Sequence, residues 1–195
     1  MKLGVTGGIG SGKTSICRVF NVLGIPVFSA DAEARTIMES DAGVIGTINS
    51  ITGRDMYQEG LLNRAELADL IFNNEELLRK VNHTVHPIVL EHFNKWEKLQ
   101  DAPYVIMEAA ILFESGAFKL VDRILTVIAP VEERINRVIE RNNLSRNQVA
   151  DRIKNQISDE EKIIQSHYVI DNSENAMIIP AVLKVNEEIL KIIKL

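Results

Sequence analysis

The chain has 195 residues, of which 46% are hydrophobic and 25% charged, and it carries a formal net charge of −5. These values are typical of one globular domain with a sizeable core, and the acidic balance argues against non-specific nucleic-acid binding, which depends on basic surface. No apolar run approaches the ~18 residues of a membrane helix, and the N-terminus lacks the apolar stretch of a signal peptide. The single cysteine, Cys17, excludes an internal disulfide and fits a reducing compartment. We therefore expect a cytosolic protein with no membrane or nucleic-acid partner.

Short apolar runs alternate with amphipathic segments along the chain. KLGVT predicts a buried strand, and TSICRVFNVLG predicts a helix that ends at Gly24. IPVFSA predicts a second strand, followed by a helix that opens on Asp31, and PYVIMEA, DRILTVIA and HYVID predict three more strands. Near-continuous apolar strands suit a parallel sheet that is covered on both faces. The alternation therefore predicts an α/β fold of three layers, α/β/α, with five parallel strands.

Two helical insertions interrupt this alternation. Residues of about 42–102 form a segment too long for one crossover helix, which indicates an inserted lobe. Residues of about 130–165 are helical and highly charged, and the core is assigned to 1–41, 103–129 and 166–195 of one domain, 1–195. The last helix is predicted from about Glu174 to Lys194, with Pro180 either kinking it or starting it.

The sequence GGIGSGKT, Gly7–Thr14, satisfies the pattern G-x-x-x-x-G-K-[ST]. Glycines let backbone N–H groups approach a polyphosphate closely, and the loop runs into a helix N-terminus, which favours an anion. In this pattern Lys13 reaches the β and γ phosphates and the Thr14 hydroxyl ligates Mg²⁺. The strand before the loop and the helix after it favour a nucleotide-binding P-loop over a glycine turn with a surface lysine.

Two carboxylates follow predicted strands. Asp31 follows the second strand, where it either orients and deprotonates an acceptor hydroxyl or caps the next helix. Glu108 ends the third strand, where it either holds Mg²⁺ through water or bonds to the neighbouring loop. His83 and His86 stand three residues apart but lack a third metal ligand, and we expect Pro87 to interrupt their helix.

The second insertion is rich in arginine. Its cluster predicts a lid that closes over the transferring phosphoryl group, although each arginine alone suits a solvated face paired with Glu132, Glu133 or Glu140. The segment NKWE superficially resembles the guanine-reading element of a GTPase. Because it lies in an amphipathic helical segment, it does not qualify as that element, and a GTPase is not favoured. A kinase for a small molecule is favoured over a slow nucleotide switch. The cluster comprises Arg134, Arg137, Arg141, Arg146 and Arg152.

The motifs in this order resemble the dephospho-coenzyme A kinase family over essentially the whole chain. The family opens with TGGIGSGKS, here TGGIGSGKT, and continues with an aspartate-arginine element, a His-Pro pair and a stretch ending in LLFE, here EAAILFE. A lid motif and an asparagine near the last strand follow. The matching residues are Asp31, Arg35, His86, Pro87, Glu108 to Glu114, Arg137, Arg141, Asn142, Leu144, Ser145, Arg152, Gln156 and Asn172.

The resemblance implies that ATP phosphorylates the ribose 3′-hydroxyl of dephospho-coenzyme A, with Mg²⁺ held by Thr14 and by Glu108 through water. It implies that the helical lobe holds the acceptor and that the lid covers ATP. We expect a monomer or small homo-oligomer. The implied catalytic residues are Asp31, Lys13, Arg137 and Arg141. The implied ATP-binding residues are Gly8, Ile9, Gly10, Ser11, Gly12, Lys13, Thr14, Ser15, Arg141 and Asn172, and the implied acceptor-binding residues are Asp31, Arg35, His86, Leu112, Phe113 and Glu114.

The chain departs from the family's pattern at a few positions. Glu108 and Ala110 stand where the family has aspartate and proline, Asn142 stands for aspartate, and His167-Tyr168 replaces an Ala-Asp pair. These departures concern the acceptor pocket and the lid, and they leave the glycine loop and Asp31 unchanged.

Overall fold

The structure, a computed structural model, describes residues 1–72, 74–142 and 144–194. The strands are β1 Lys2–Thr6, β2 Val27–Ser29, β3 Tyr57–Gln58, β4 Leu61–Leu62, β5 Val105–Glu108, β6 Arg123–Ile128 and β7 Tyr168–Asp171. The helices are α1 Lys13–Val22, α2 Ala30–Ser40, α3 Ala42–Thr52, α4 Arg64–Phe72, α5 Glu75–Glu97, α6 Val131–Asn142, α7 Arg146–Lys154, α8 Asp159–Ile164 and α9 Ile178–Ile193.

The chain divides into two compact units. The first contains Met1–Ser29 and Leu99–Leu195, and the second is Ala30–Lys98. The second unit therefore begins earlier than the lobe expected at about residue 42, because α2 packs with α3 and α5. The Tyr57 hydroxyl also donates a hydrogen bond to the Met38 carbonyl at 2.7 Å, which ties the end of α2 to this unit.

A five-stranded parallel sheet in the order β2-β5-β1-β6-β7 forms the centre of the first unit. This confirms the predicted α/β fold, with helices on both sides of the sheet. Leu3 and Val5 of β1 point to one face, where α1 and α9 cover them with Ile16, Phe20 and other apolar side chains. Because the strands are parallel, the carboxyl ends of β1, β5, β6 and β7 lie at the same end of the sheet.

The second unit is helical, with a short hairpin that the sequence did not predict. The strands β3 and β4 pair antiparallel, and the turn between them contains Glu59 at φ +51° and Gly60 at φ +81°. Its long helix α5 buries a stripe spaced by four residues, comprising Leu77, Val81, Val85, Val89 and Phe93.

Two expectations about proline are resolved by the helices. The expectation that Pro87 interrupts its helix is wrong, because α5 continues through it and its buried stripe outweighs one lost backbone hydrogen bond. Pro180 is the third residue of α9, where its missing N–H would have no partner within the helix, so it lies at the start rather than at a kink. The helix begins four residues after the expected Glu174. No helix within the described ranges is long and apolar enough to cross a membrane.

Candidate active site

The glycine loop connects the end of β1 to the start of α1. Gly12, which precedes α1, has φ +90°, in the left-handed region that favours glycine. A Cβ atom there would also collide with the side-chain amide of Asn172. The strand, the loop and the helix therefore have the arrangement that the motif predicts, with the loop's backbone close to neighbouring groups.

Lys13 is the first residue of α1 and is almost completely buried, with 8% of its surface exposed. Its Nζ donates to the carbonyl of Gly7 at 2.9 Å and to that of Gly8 at 3.4 Å. The ammonium group thus lies against the loop itself, where it is positioned to meet an anion that the loop binds.

Thr14 and Glu108 are brought together by neighbouring strands. Val5 and Glu108 are partners in the β1–β5 ladder, so Glu108 ends its strand beside the start of the loop. The Thr14 hydroxyl donates to Glu108 Oε1 at 2.7 Å. A hydroxyl and a buried carboxylate at this distance are oxygen donors of the kind that Mg²⁺ prefers, and they fit the predicted metal. Among the described residues, no group of three or more His, Cys, Asp or Glu side chains could hold a metal by itself.

Three side chains from other elements hold the loop's backbone. Gln156 Oε1 accepts from the Ile9 N–H at 2.9 Å, and Arg134 Nε donates to the Ile9 carbonyl at 2.9 Å. Asn172 Nδ2 donates to the Ser11 carbonyl at 2.7 Å. The loop's shape is therefore set by long-range contacts as well as by its glycines.

The arginines of the second insertion do not share one environment. Arg137 donates to Glu133 at 2.9 Å and to the Asn172 carbonyl at 2.9 Å, which places it beside the residue that holds the loop. Its Nη1 is buried and has no hydrogen-bond partner in the part of the chain that the structure describes. Arg141 lies exposed in the last turn of α6. Arg146 pairs with Glu132 on the surface, as the alternative of a solvated helix face predicts.

Arg134 does not lie on a solvated face of its helix. It is 3% exposed and its Nη1 donates to Asp159 at 2.8 Å, so it points into the protein and away from solvent. Asp159 and its neighbour Lys162 were not singled out from the sequence. Only the capping pattern Ser158-x-x-Glu161 marks the start of their helix.

The residues after β5 pack inside the first unit. Leu112 is completely buried, and its Cδ2 would be 2.8 Å from a Cβ built on Gly4. Phe113 packs against Phe118 with ring centroids 5.8 Å apart. Glu114 Oε1 accepts from the Ile157 N–H at 3.1 Å. The contacts of Leu112, Phe113 and Glu114 with an acceptor remain predictions. The structure shows these three residues in packing and hydrogen-bond contacts within the first unit.

The predicted acceptor residues Asp31, Arg35 and His86 all lie in the second unit. Asp31 is the second residue of α2, inside the helix and not before it as an N-cap would be, and Arg35 is exposed one turn later. Burial lowers the pKa of His86, and the negative charge of Asp31 partly opposes this shift. Asp31 is therefore close enough to His86 to affect its protonation. His83 lies exposed on the same helix.

The comparisons with known proteins agree with one another. The family model described as dephospho-CoA kinase matches residues 1–177. A Bacteroides fragilis dephospho-CoA kinase is 38% identical, covering 94% of this chain and 90% of that protein, and one from Corynebacterium diphtheriae is 36% identical, covering 88% of each.

Solved structures give the same grouping. A Thermus thermophilus crystal structure aligns with a TM-score of 0.85 and 31% identity over 96% of both chains. The Campylobacter jejuni dephospho-CoA kinase aligns with a TM-score of 0.69 and 26% identity over 98% of both chains. An Acinetobacter baumannii shikimate kinase, at 19% identity and a TM-score of 0.55, shares the fold. The chain belongs to the dephospho-CoA kinase family.

Proposed function

We propose that this protein transfers the γ-phosphoryl group of ATP to the ribose 3′-hydroxyl of dephospho-coenzyme A, giving coenzyme A and ADP. This is the last step of coenzyme A synthesis. The observation that carries the proposal is the glycine loop between β1 and α1, with Lys13 buried against it, in a chain that matches the family over residues 1–177.

The loop and the first turn of α1 bind the phosphates of ATP in this proposal. The backbone of Gly8 to Ser15 and the N-terminus of α1 favour the negative charge, and Lys13 Nζ exchanges its loop carbonyls for phosphate oxygens. Mg²⁺ bound by Thr14 and, through water, by Glu108 would neutralise charge on the phosphates. Glu108 meanwhile holds the Thr14 hydroxyl in place at 2.7 Å.

Arg137 and Arg141 are assigned to the charge that develops during transfer. The Nη1 of Arg137, which is buried and has no partner among the described residues, supports this assignment, because such a guanidinium nitrogen is suited to an anionic oxygen. Asn172 acts beside ATP by holding Ser11 and, through its own carbonyl, Arg137. It thus couples the loop to the arginine.

Asp31 is assigned to the acceptor hydroxyl, as the carboxylate that orients it and takes its proton. His86 is assigned to the acceptor with Arg35, and its lowered pKa supports a neutral imidazole at neutral pH. A neutral imidazole leaves the charge of Asp31 uncancelled. The Leu112–Phe113–Glu114 stretch is assigned to the same acceptor by the resemblance.

We further propose a cytosolic enzyme that works as a monomer or small homo-oligomer. The chain has one cysteine, Cys17, which is buried in the core, and so forms no internal disulfide, which fits a reducing compartment. Light scattering during gel filtration measures the assembly state.

A coupled assay of ADP release tests the proposed reaction. The purified protein is given ATP and Mg²⁺, with and without dephospho-coenzyme A, and the acceptor's mass is measured afterwards. We expect ADP release that depends on the acceptor and one added phosphoryl group on it. ADP release that ignores dephospho-coenzyme A, or an unchanged acceptor mass, would contradict the proposal, and a panel of nucleosides and other alcohols would then identify the acceptor.

A further inference from the structure

Ile9 lies in the middle of the glycine loop, and both of its backbone polar groups are held by side chains from the segment 131–164. Gln156 Oε1 accepts from its N–H, and Arg134 Nε donates to its carbonyl, each at 2.9 Å. The Ile9 N–H is therefore already engaged, as is the Ser11 N–H, which donates to the Gly8 carbonyl at 3.1 Å. Gln156 also donates to the Ala110 carbonyl at 3.3 Å, which fixes its amide in this orientation.

Arg134 fills the space next to the loop. A Cβ atom on Gly8 would collide with its guanidinium group, and one on Gly10 would collide with its backbone carbonyl. The Arg134 backbone thus requires glycine at position 10, and a side chain at position 8 would displace the Arg134 guanidinium group, even before a phosphate is considered. With 3% of its surface exposed, Arg134 approaches the loop as part of the protein interior.

Asp159 fixes the other end of the Arg134 guanidinium. Arg134 Nη1 donates to Asp159 Oδ2 at 2.8 Å, and Lys162 Nζ lies 3.9 Å from Asp159 Oδ1. Lys162 is 1% exposed and donates to the Ile157 carbonyl at 2.7 Å, so it cannot swing away without losing a buried bond. Asp159 therefore lies between two buried cations and is held where Arg134 needs it.

We infer that Arg134, oriented by Asp159, is a positioning residue that fixes the Ile9 backbone and so shapes the phosphate-binding loop before ATP arrives. A lid arginine that contacts phosphate would instead need its guanidinium free to meet the nucleotide. In Arg134, Nε already donates to the Ile9 carbonyl and Nη1 already donates to Asp159. The inference rests on the proposed function in naming ATP as the nucleotide.

The variants Arg134→Met and Asp159→Asn test this inference. Arg134→Met keeps the apolar stem, and Asp159→Asn keeps the side chain's shape while removing its charge. ATP affinity is measured by calorimetry without the acceptor, dephospho-coenzyme A affinity is measured separately, and thermal unfolding reports the fold. Lys154→Ala is the matched control, because Lys154 is exposed on α7 and pairs with Asp151 at 3.6 Å.

We expect Arg134→Met to weaken ATP binding at least about tenfold, since it leaves the Ile9 carbonyl without its charged donor. Asp159→Asn should weaken ATP binding severalfold, although Asp159 bonds to no loop residue, and adding it to Arg134→Met should change nothing further. Affinity for dephospho-coenzyme A and the behaviour of Lys154→Ala should match the wild type.

Unchanged ATP affinity, within about twofold, in the folded variants would overturn the inference even if their melting temperatures fall, because the network would then serve stability alone. If Arg134→Met does not fold, Asp159→Asn carries the same decision alone. A wild-type chain that fails to bind ATP would overturn the proposed function together with the inference. A wild type that binds ATP, with variants that bind equally well, overturns only the inference.

Discussion

Replacing Glu108 by Gln separates the proposed metal role of this carboxylate from its structural role. Glu108 is 7% exposed at the end of β5 and accepts the Thr14 hydroxyl at 2.7 Å. Glutamine keeps an acceptor oxygen at the same reach, so the contact with Thr14 survives without the negative charge. We therefore expect the fold to be retained and Mg²⁺-dependent turnover to fall.

The magnitude follows from what each state loses. In the folded protein a charged hydrogen bond becomes a neutral one, which costs part of about 1.5–3 kcal/mol, while burying a neutral amide in place of a carboxylate recovers free energy. The free energy of unfolding should thus change by less than about 1 kcal/mol. In the complex with Mg²⁺ and ATP nothing replaces the charge, and losing a charge-assisted contact of about 1.5–3 kcal/mol lowers kcat by about ten- to a hundredfold.

Glu108→Asp is the matched control. Its side chain is shorter by one methylene, so the oxygen withdraws by about 1.5 Å and loses the direct bond to Thr14, but the charge remains. A carboxylate that acts on Mg²⁺ through water tolerates this change. We expect Glu108→Asp to keep turnover within a few-fold of the wild type.

The assay measures initial rates of ADP release across a Mg²⁺ titration, with thermal unfolding as the check on folding. The expected order of turnover is wild type, then Glu108→Asp, then Glu108→Gln far below. A Glu108→Gln variant with wild-type rates at every Mg²⁺ concentration would refute the reasoning and leave Glu108 as a partner of Thr14 alone.

Three further predictions concern other residues of the site. Lys13→Ala should lower turnover by orders of magnitude without changing the fold, measured as kcat beside circular dichroism, and near-full activity would remove Lys13 from the phosphate site. Asp31→Asn should lower kcat more than it raises the acceptor KM, and a change in KM alone would make Asp31 a binding residue. Burial lowers the pKa of His86 from 6.5, so the unfolded chain takes up this proton at higher pH than the folded one. The stability that depends on neutral His86 should thus be present above pH 6.5 and be lost as the pH falls through the folded pKa. His86→Gln should reduce the dependence of the melting temperature on pH over that range. A melting temperature that falls with pH as steeply as in the wild type would contradict this prediction.

Much of the fold could be predicted from the sequence because its signals are local. KLGVT, DRILTVIA and HYVID are apolar runs next to glycine or polar residues, and the structure confirms β1, β6 and β7 there. The family, the fold class and the kinase activity follow from motifs that keep their order along the chain. The assigned roles of individual site residues remain predictions.

The parts that could not be predicted depend on partners distant in sequence. Pro87 looks like a helix breaker, but the buried stripe of α5 runs past it, with Val85 and Val89 on either side, and decides the outcome. The hairpin turn at Glu59-Gly60 lacks the Asn-Gly or Asp-Gly signature of such turns. Arg134, Arg137 and Arg141 lie three and four residues apart, and this pattern does not distinguish Arg134 from the other two. Its contacts with Ile9 and Asp159 in the structure show that it faces inward.

The position of the new phosphate on the product tests the central proposal most directly. The acceptor is incubated with the enzyme, ATP and Mg²⁺, and the product is examined by phosphorus–proton correlation NMR. The proposed function predicts a single new phosphomonoester coupled to the ribose 3′ proton. A phosphate on any other oxygen, or an acceptor recovered without one, would contradict it.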